Sequence, residues 1–316
     1  MEAVLEVQHL SVSAKSATGI TPIIEDMSFV LGRGEVLVLL GESGSGKTIL
    51  SRALTRLFPD NVGMKINGRV SLNGEPVLAL PIRRLTEIRR THVRYIFQEP
   101  QQSLNPMSTI LRQMKDASRG NSADPKFLTA ALERVGIENP ADVLRSFPQQ
   151  LSAGQAQRVM IAMAVLPSPD LLIADEPTSS VDVSLSHLLL DLLSALQVER
   201  RLSMLLITHD LGVAREYGDI IVVMHKGRVF ETSPGVEFFA GPLHPYSQLL
   251  MHATPGGTKR SRAHTELTQG RSERNEILEG CRFASRCPRV QARCLSLEPP
   301  LEKATESHEV RCFYWR

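Results

Sequence analysis

Gly41-Glu42-Ser43-Gly44-Ser45-Gly46-Lys47-Thr48 is the stretch on which the reading of this chain turns. It fits G-x-x-x-x-G-K-[ST], and both flanks supply the context that pattern needs. Ahead of it, Glu35-Val36-Leu37-Val38-Leu39-Leu40 is apolar and reads as a buried strand. Behind it, residues 49–57 space their apolar side chains as a helix does. Strand, glycine-rich turn and helix in that order set consecutive backbone N–H groups around an anion at a helix N-terminus. Glycines let the backbone approach phosphates with no Cβ in the way. Lys47 is expected to reach the β- and γ-phosphates, and the Thr48 hydroxyl to ligate Mg²⁺. With strand and helix both in place, an accidental Gly/Ser-rich turn is the weaker reading. The implied ligand is a nucleoside triphosphate.

The 316 residues suit one large domain, or one domain plus an appendage. A net charge of +2 is too small to argue for a nucleic-acid partner. No apolar run approaches the roughly eighteen residues of a membrane span. The N-terminus, residues 1–6, is acidic and lacks the basic start and apolar core of a secretory signal. Cytoplasmic residence is therefore expected, with peripheral attachment to a membrane left open. All four cysteines lie after residue 280.

Outward from the glycine loop, Val4 to Val12 alternates as a half-buried strand would, Ala14 to Pro22 reads as a small-residue loop, and Ile23 to Leu31 as a second strand. Residues 70–77, with Asn73-Gly74 at their centre, suggest a small hairpin. Val93 to Gln98 is a short strand ending at a glutamine. From Glu99 to about Leu166 prolines and amphipathic helical stretches replace strands, a helical insertion. Strands return at Asp170–Asp175, Ser203–Thr208 and Ile220–His225, with a helix over Ser184–Glu199. Alternating strands and helices predict a mostly parallel sheet covered on both faces. The expected division is a 1–250 cassette with its insertion at about 99–166, a polar 251–279 linker, and a cysteine-rich extension at 280–316.

Later residues complete a phosphoryl-transfer set. Asp175 ends an apolar strand and suits Mg²⁺ or its water; Glu176 is placed to orient and deprotonate an attacking water. Gln98 is a candidate for the metal or the water, and His209 for the γ-phosphate. Each alone is a common strand-end residue, but on successive strand ends they form one site.

On these residues the chain resembles the ABC-transporter ATPases. The resemblance runs from the Walker A at Gly41–Thr48 through the Q-loop Gln98, the signature Leu151-Ser152-Ala153-Gly154-Gln155 and the Walker B at Leu171–Asp175. It continues with the catalytic Glu176, the D-loop Ser179-Ser180-Val181-Asp182 and the switch His209. It implies a P-loop α/β cassette with an antiparallel N-terminal β part, working as a head-to-tail pair of cassettes. Ser152, Gly154 and Gln155 would then act on the partner's nucleotide. Two departures matter. Ala153 stands where the signature usually has glycine, and residues 13–22, where an adenine-stacking aromatic is expected, hold no Phe, Tyr or Trp.

Within that family, Phe97–Pro106 with its Ser-Leu-Asn-Pro, the His244-Pro245-Tyr246 segment and the cysteine tail resemble the oligopeptide/dipeptide/nickel importers. The tail spaces Cys281, Cys287, Cys294 and Cys312 as C-x5-C-x6-C-x17-C. Two disulfides conflict with a cytoplasmic chain, and structural zinc sites usually place cysteines two to four residues apart. Four thiolates at wider spacing suit an iron–sulfur cluster, resembling the [4Fe–4S] site of some peptide-importer ATPases. A [4Fe–4S] cluster is thus expected ahead of Zn²⁺. The resemblance further implies ATP hydrolysis with Mg²⁺, driving uptake of peptides, nickel or a metallophore from the cytoplasmic face of the inner or plasma membrane. It implies a second ATPase subunit (a heterodimer), two transmembrane permease subunits and an extracytoplasmic solute-binding protein as partners. A soluble ABC ATPase acting on DNA or ribosomes is the alternative, disfavoured because the sequence has no long heptad segment, no second cassette and no basic stripe.

Overall fold

The computed structural model describes residues 2–16, 19–59, 62–118, 124–178, 183–253 and 279–316. Two sheets organise them. The smaller is antiparallel, in the order β2-β1-β4-β5, from β1 (Ala3–Ser16), β2 (Gly19–Gly32), β4 (Met64–Leu72) and β5 (Glu75–Pro76). The larger has eight strands in the order β11-β12-β10-β9-β3-β8-β7-β6. Its centre is β3 (Val36–Leu40), flanked by β8 (Ser203–Thr208) and β9 (Ile220–His225), both parallel to it. β7 (Leu171–Asp175) and β6 (Val93–Ile96) continue the parallel run on the β8 side. β10 (Arg228–Pro234), β11 (Glu302–Lys303) and β12 (Glu309–Val310) add an antiparallel edge on the other.

The parallel strands are buried on both faces, and their period-2 geometry divides their side chains between two cores. Val36, Val38, Leu40, Leu172, Ala174, Met204, Leu206, Ile221 and Val223 enter one core. Their sequence neighbours Leu37, Leu39, Leu171, Ile173, Leu205, Ile207, Val222 and Met224 enter the other. The second core is closed by the antiparallel sheet with helices α1 (Lys47–Ala53) and α2 (Ile82–Thr91). The first is closed by the helical insertion: α3 (Pro100–Ser103), α4 (Ile110–Ser118), α5 (Pro125–Arg134), α6 (Pro140–Arg145) and α7 (Ala153–Val165). Side chains of α8 (Val183–Arg200) and α9 (Leu211–Tyr217) join it, as do those of α10 (Gly235–Ala240) and α11 (Pro245–Ala253).

The α/β cassette architecture agrees with the expectation, with one local correction. The stretch expected as a loop, Ala14 to Pro22, is hairpin: Ala14 pairs with Thr21 and Lys15 with Ile20. Short side chains suggested a loop, but backbone pairing along a long two-strand ribbon overrides that local preference. At Asn73-Gly74 both residues have positive φ, 46° and 81°, the primed turn that a two-residue hairpin requires. The C-terminal residues fold onto the cassette: Glu231 pairs with Val310 across β10 and β12, and Cys281, Phe283, Ala284 and Cys294 are buried in the first core. Most of the expected linker, 254–278, lies outside the described residues.

Candidate active site

The phosphate loop sits where β3 gives way to α1. Gly44 and Gly46 adopt φ of 80° and 103°, which a side chain would strain. A Cβ on Gly41 would lie 2.2 Å from the Met224 carbonyl oxygen of β9. The Lys47 ammonium folds back over the loop, donating to the carbonyls of Gly41 at 2.7 Å and Glu42 at 3.0 Å. Burial pushes the Lys47 pKa down, opposed by the carboxylates of Glu176, Asp175 and Glu42. The Ser45 hydroxyl is buried with no hydrogen-bond partner, an orphan of the kind a phosphate oxygen would satisfy. Ser43 and Gly44 form the exposed rim.

Adjacent parallel strands deliver the other groups to the same edge. Gln98 follows β6, Asp175 ends β7 with Glu176 next, and His209 follows β8. Asp175 is buried; burial pushes its carboxyl pKa up, opposed by a hydrogen bond with the Thr48 side chain. Glu176 has a φ of 46°, the left-handed region, and its N–H donates to the Ile207 carbonyl at 2.9 Å. Such a conformation costs energy and is typical of functional positions. It turns the Glu176 carboxylate between two partners. Gln98 Nε2 donates to Oε2 at 3.0 Å, and His209 Nδ1 lies 3.3 Å from Oε1. Glu176 is mostly enclosed, its side chain 16% exposed, whereas that of His209 is 64% exposed.

The signature residues occupy a different surface, the N-terminus of α7. Ser152 caps the helix: its hydroxyl accepts the Gln155 N–H at 3.2 Å, and Gln155 Oε1 accepts the Ser152 N–H at 3.0 Å. Ala153 is the first helical residue and its side chain is exposed, so the backbone there has no need of glycine. The D-loop, Ser179 to Asp182, lies outside the described residues.

One layer of the site escaped sequence reasoning. Tyr246, fully buried, accepts the Glu42 N–H on its hydroxyl at 3.1 Å. Arg286 grips the Glu42 carboxylate with both terminal nitrogens, each at 2.8 Å, and holds its pKa below the usual carboxylate range. His225, at the end of β9, packs its ring against Phe230, Tyr246 and Phe283; both ring nitrogens are buried without a hydrogen-bond partner, Nδ1 lying 3.9 Å from Glu42 Oε2. The His-Pro-Tyr segment marked this region in the sequence, but nothing local tied it to Glu42.

The metal site expected at the cysteines finds no support. Cys281 and Cys294 are buried, Cys287 and Cys312 half-buried, and all four are free thiols. Burial pushes Cys281 up to about 11 and raises Cys287 and Cys312, and the thiols act electrostatically on one another. Among the described residues, no group of three or more Cys, His, Asp or Glu is set to hold a metal ion. The geometry therefore does not support the expected [4Fe–4S] cluster or its Zn²⁺ alternative. Thr48 and Asp175, by contrast, bring hard oxygen donors together beside the phosphate loop, as Mg²⁺ requires.

A strand–glycine loop–helix cradle, with two carboxylates at the end of the strand two places along the same sheet, defines a P-loop nucleotide hydrolase of the cassette type. Comparison with known proteins agrees. The ABC transporter family profile matches residues 24–179, and the oligopeptide/dipeptide transporter C-terminal region matches residues 230–294. A putative peptide import ATP-binding protein of Brucella abortus is 37% identical over 314 residues, spanning 98% of this chain and 94% of its own. The peptidoglycan transport ATP-binding protein YejF of Agrobacterium fabrum is 40% identical over 81% of this chain; the match spans about half, 48%, of that relative's length. A solved dimeric structure of the ATP-binding cassette MJ0796 bound to ADP and Pi superposes with a TM-score of 0.65 at 26% identity, covering 73% of this chain and 98% of that one. The chain belongs to the ATP-binding subunits of ABC transporters, in the oligopeptide/dipeptide branch, and is an ATPase. Among the described residues, no helix is long and apolar enough to cross a membrane.

Proposed function

We propose that this chain hydrolyses ATP to power uptake of di- or oligopeptides, or of a related solute such as nickel or a metallophore, through a membrane ABC importer. The observation that carries the hydrolytic part is the Glu176 carboxylate, held between Gln98 and His209 at the strand edge that also bears Lys47 and Asp175. The C-terminal region at residues 230–294 supports the peptide branch.

In this reading the N–H groups of residues 41–48 and the Lys47 ammonium bind the triphosphate, Lys47 exchanging two backbone carbonyls for phosphate oxygens. The Ser45 hydroxyl gains its missing partner. Thr48, Asp175 and Gln98 would hold Mg²⁺, which would supply charge neutralisation for the triphosphate. Glu176 accepts the proton of a water in line with the γ-phosphate; Gln98 and His209 orient that carboxylate and sense the γ-phosphate. Ser152, Gly154 and Gln155, on an exposed helix N-terminus, serve the nucleotide of a second cassette, closing a two-subunit sandwich in which the partner is a different chain. The helical insertion carries Met107, 87% exposed, a short way past Gln98 and offers an apolar contact to a permease. Two transmembrane permease subunits, an extracytoplasmic binding protein and a peripheral place on the cytoplasmic face complete the assembly.

The direct test is cross-linking from Met107→Cys to the permease subunits in vesicles. An ATP-dependent change in yield supports the assignment. A yield indifferent to ATP, or co-purification with ribosomes or DNA instead of permeases, contradicts it.

A further inference from the structure

A carboxylate is an unfavourable neighbour for a triphosphate, yet Glu42 is the second residue of the phosphate loop. Its main chain is part of the cradle, since its carbonyl accepts from Lys47 at 3.0 Å. Its side chain is turned away by a residue 244 positions later, Arg286, through two parallel N–H···O bonds of 2.8 Å. Such a fork fixes geometry as well as charge.

Arg286 is itself firmly set. It ends a single 3-10 turn, Ala284–Arg286, and its N–H donates to the Phe283 carbonyl at 3.0 Å. Phe283 is fully buried, its ring 5.3 Å from that of Tyr246, and Tyr246 in turn accepts the Glu42 N–H. Glu42 is thus held at backbone and side chain from the same C-terminal layer. The neighbouring Arg282 anchors this layer to the cassette by donating to the Glu25 carboxylate and the Lys226 carbonyl.

We propose that Arg286, on the cysteine-bearing C-terminal segment, is a positioning residue for ATP binding: it neutralises Glu42 and keeps that carboxylate from competing with the triphosphate for Lys47. The C-terminal layer is then part of this chain's own nucleotide site. This rests on residues 41–48 being the ATP site, and the experiment separates the two claims.

The test measures the ATP dissociation constant, with Mg²⁺, by titration calorimetry on the full chain carrying R286Q, E42Q or both. R286Q is expected to weaken ATP binding roughly tenfold, a loss that shrinks at high salt. The double variant is expected to bind within about threefold of E42Q, because the charge that needs neutralising is gone. Both results support the proposal, since a purely structural Arg286 would not be rescued by removing Glu42. Unchanged affinity in R286Q, or a double variant as weak as R286Q, overturns it. R286K keeps the charge and serves should R286Q fail to fold; a loss of tenfold or more in R286K also overturns the proposal. Failure of the unaltered chain to bind ATP would remove the underlying site assignment and the proposal with it.

Discussion

The Gln98 side-chain amide donates to Oε2 of Glu176 at 3.0 Å, bridging the ends of two neighbouring parallel strands. The bond ties the start of the helical insertion to the carboxylate assigned to water activation, so loss of the amide acts on turnover more than on binding. Gln98→Ala should lower the rate of ATP hydrolysis roughly tenfold or more while the dissociation constant for ATP moves less than about threefold. Steady-state kinetics beside equilibrium binding check this; equal losses in both would contradict the role.

Ala153 opens α7 with its side chain exposed, so glycine offers nothing there and costs backbone entropy. Ala153→Gly should leave hydrolysis within about twofold of the unaltered chain and cost about 0.5–1 kcal/mol of stability. Denaturant unfolding and an ATPase assay decide it; a large gain in activity would mean that alanine impairs the signature.

Base selectivity is expected to be weak. Residues 13–22 hold no aromatic side chain to stack on adenine, and stacking contributes only about 0.5–1.5 kcal/mol where present. The dissociation constant for GTP should lie within about tenfold of that for ATP. A preference for ATP far beyond that would show that other residues read the base.

Much of this was legible in the sequence because its signals are local. The glycine loop, the apolar strands and the carboxylates at their ends each occupy a few consecutive residues, and strand register then gathers Gln98, Glu176 and His209 unaided. Long-range relationships were not legible. Arg286 meets Glu42, and Glu231 receives His308 at 2.8 Å, across separations that no periodicity encodes. The small residues around Ala14 misled for a related reason, since their pairing with Thr21 belongs to the whole hairpin. The cysteine spacing resembled a cluster site, but among the described residues no group of three or more Cys, His, Asp or Glu is set to hold a metal ion.

Stability should fall as the medium is acidified. Burial lowers His225 to about 4 and His244 to about 3, so both are neutral in the folded chain at pH 7, whereas in the unfolded chain they protonate near 6.5. Above about 6.5 neither affects stability. As pH falls from there towards about 4, the unfolded state takes up protons that the folded state refuses, costing ~1.4 kcal/mol per pH unit for each group. His225→Phe removes one titration and two nitrogens that lack hydrogen bonds, so its denaturation midpoint should depend less on pH between 6.5 and 4.5. Parallel slopes for the variant and the unaltered chain would refute the assignment to His225.

The most direct test of the account is single-turnover ATP hydrolysis by Glu176→Gln, measured with ATP binding on the same preparation. Glutamine keeps the shape and a hydrogen-bonding partner for Gln98 but cannot take a proton. ATP binding should persist within about threefold while hydrolysis falls by roughly a hundredfold or more, leaving ATP-bound cassettes trapped as dimers. Hydrolysis at the unaltered rate would contradict the central claim that Glu176 activates the water.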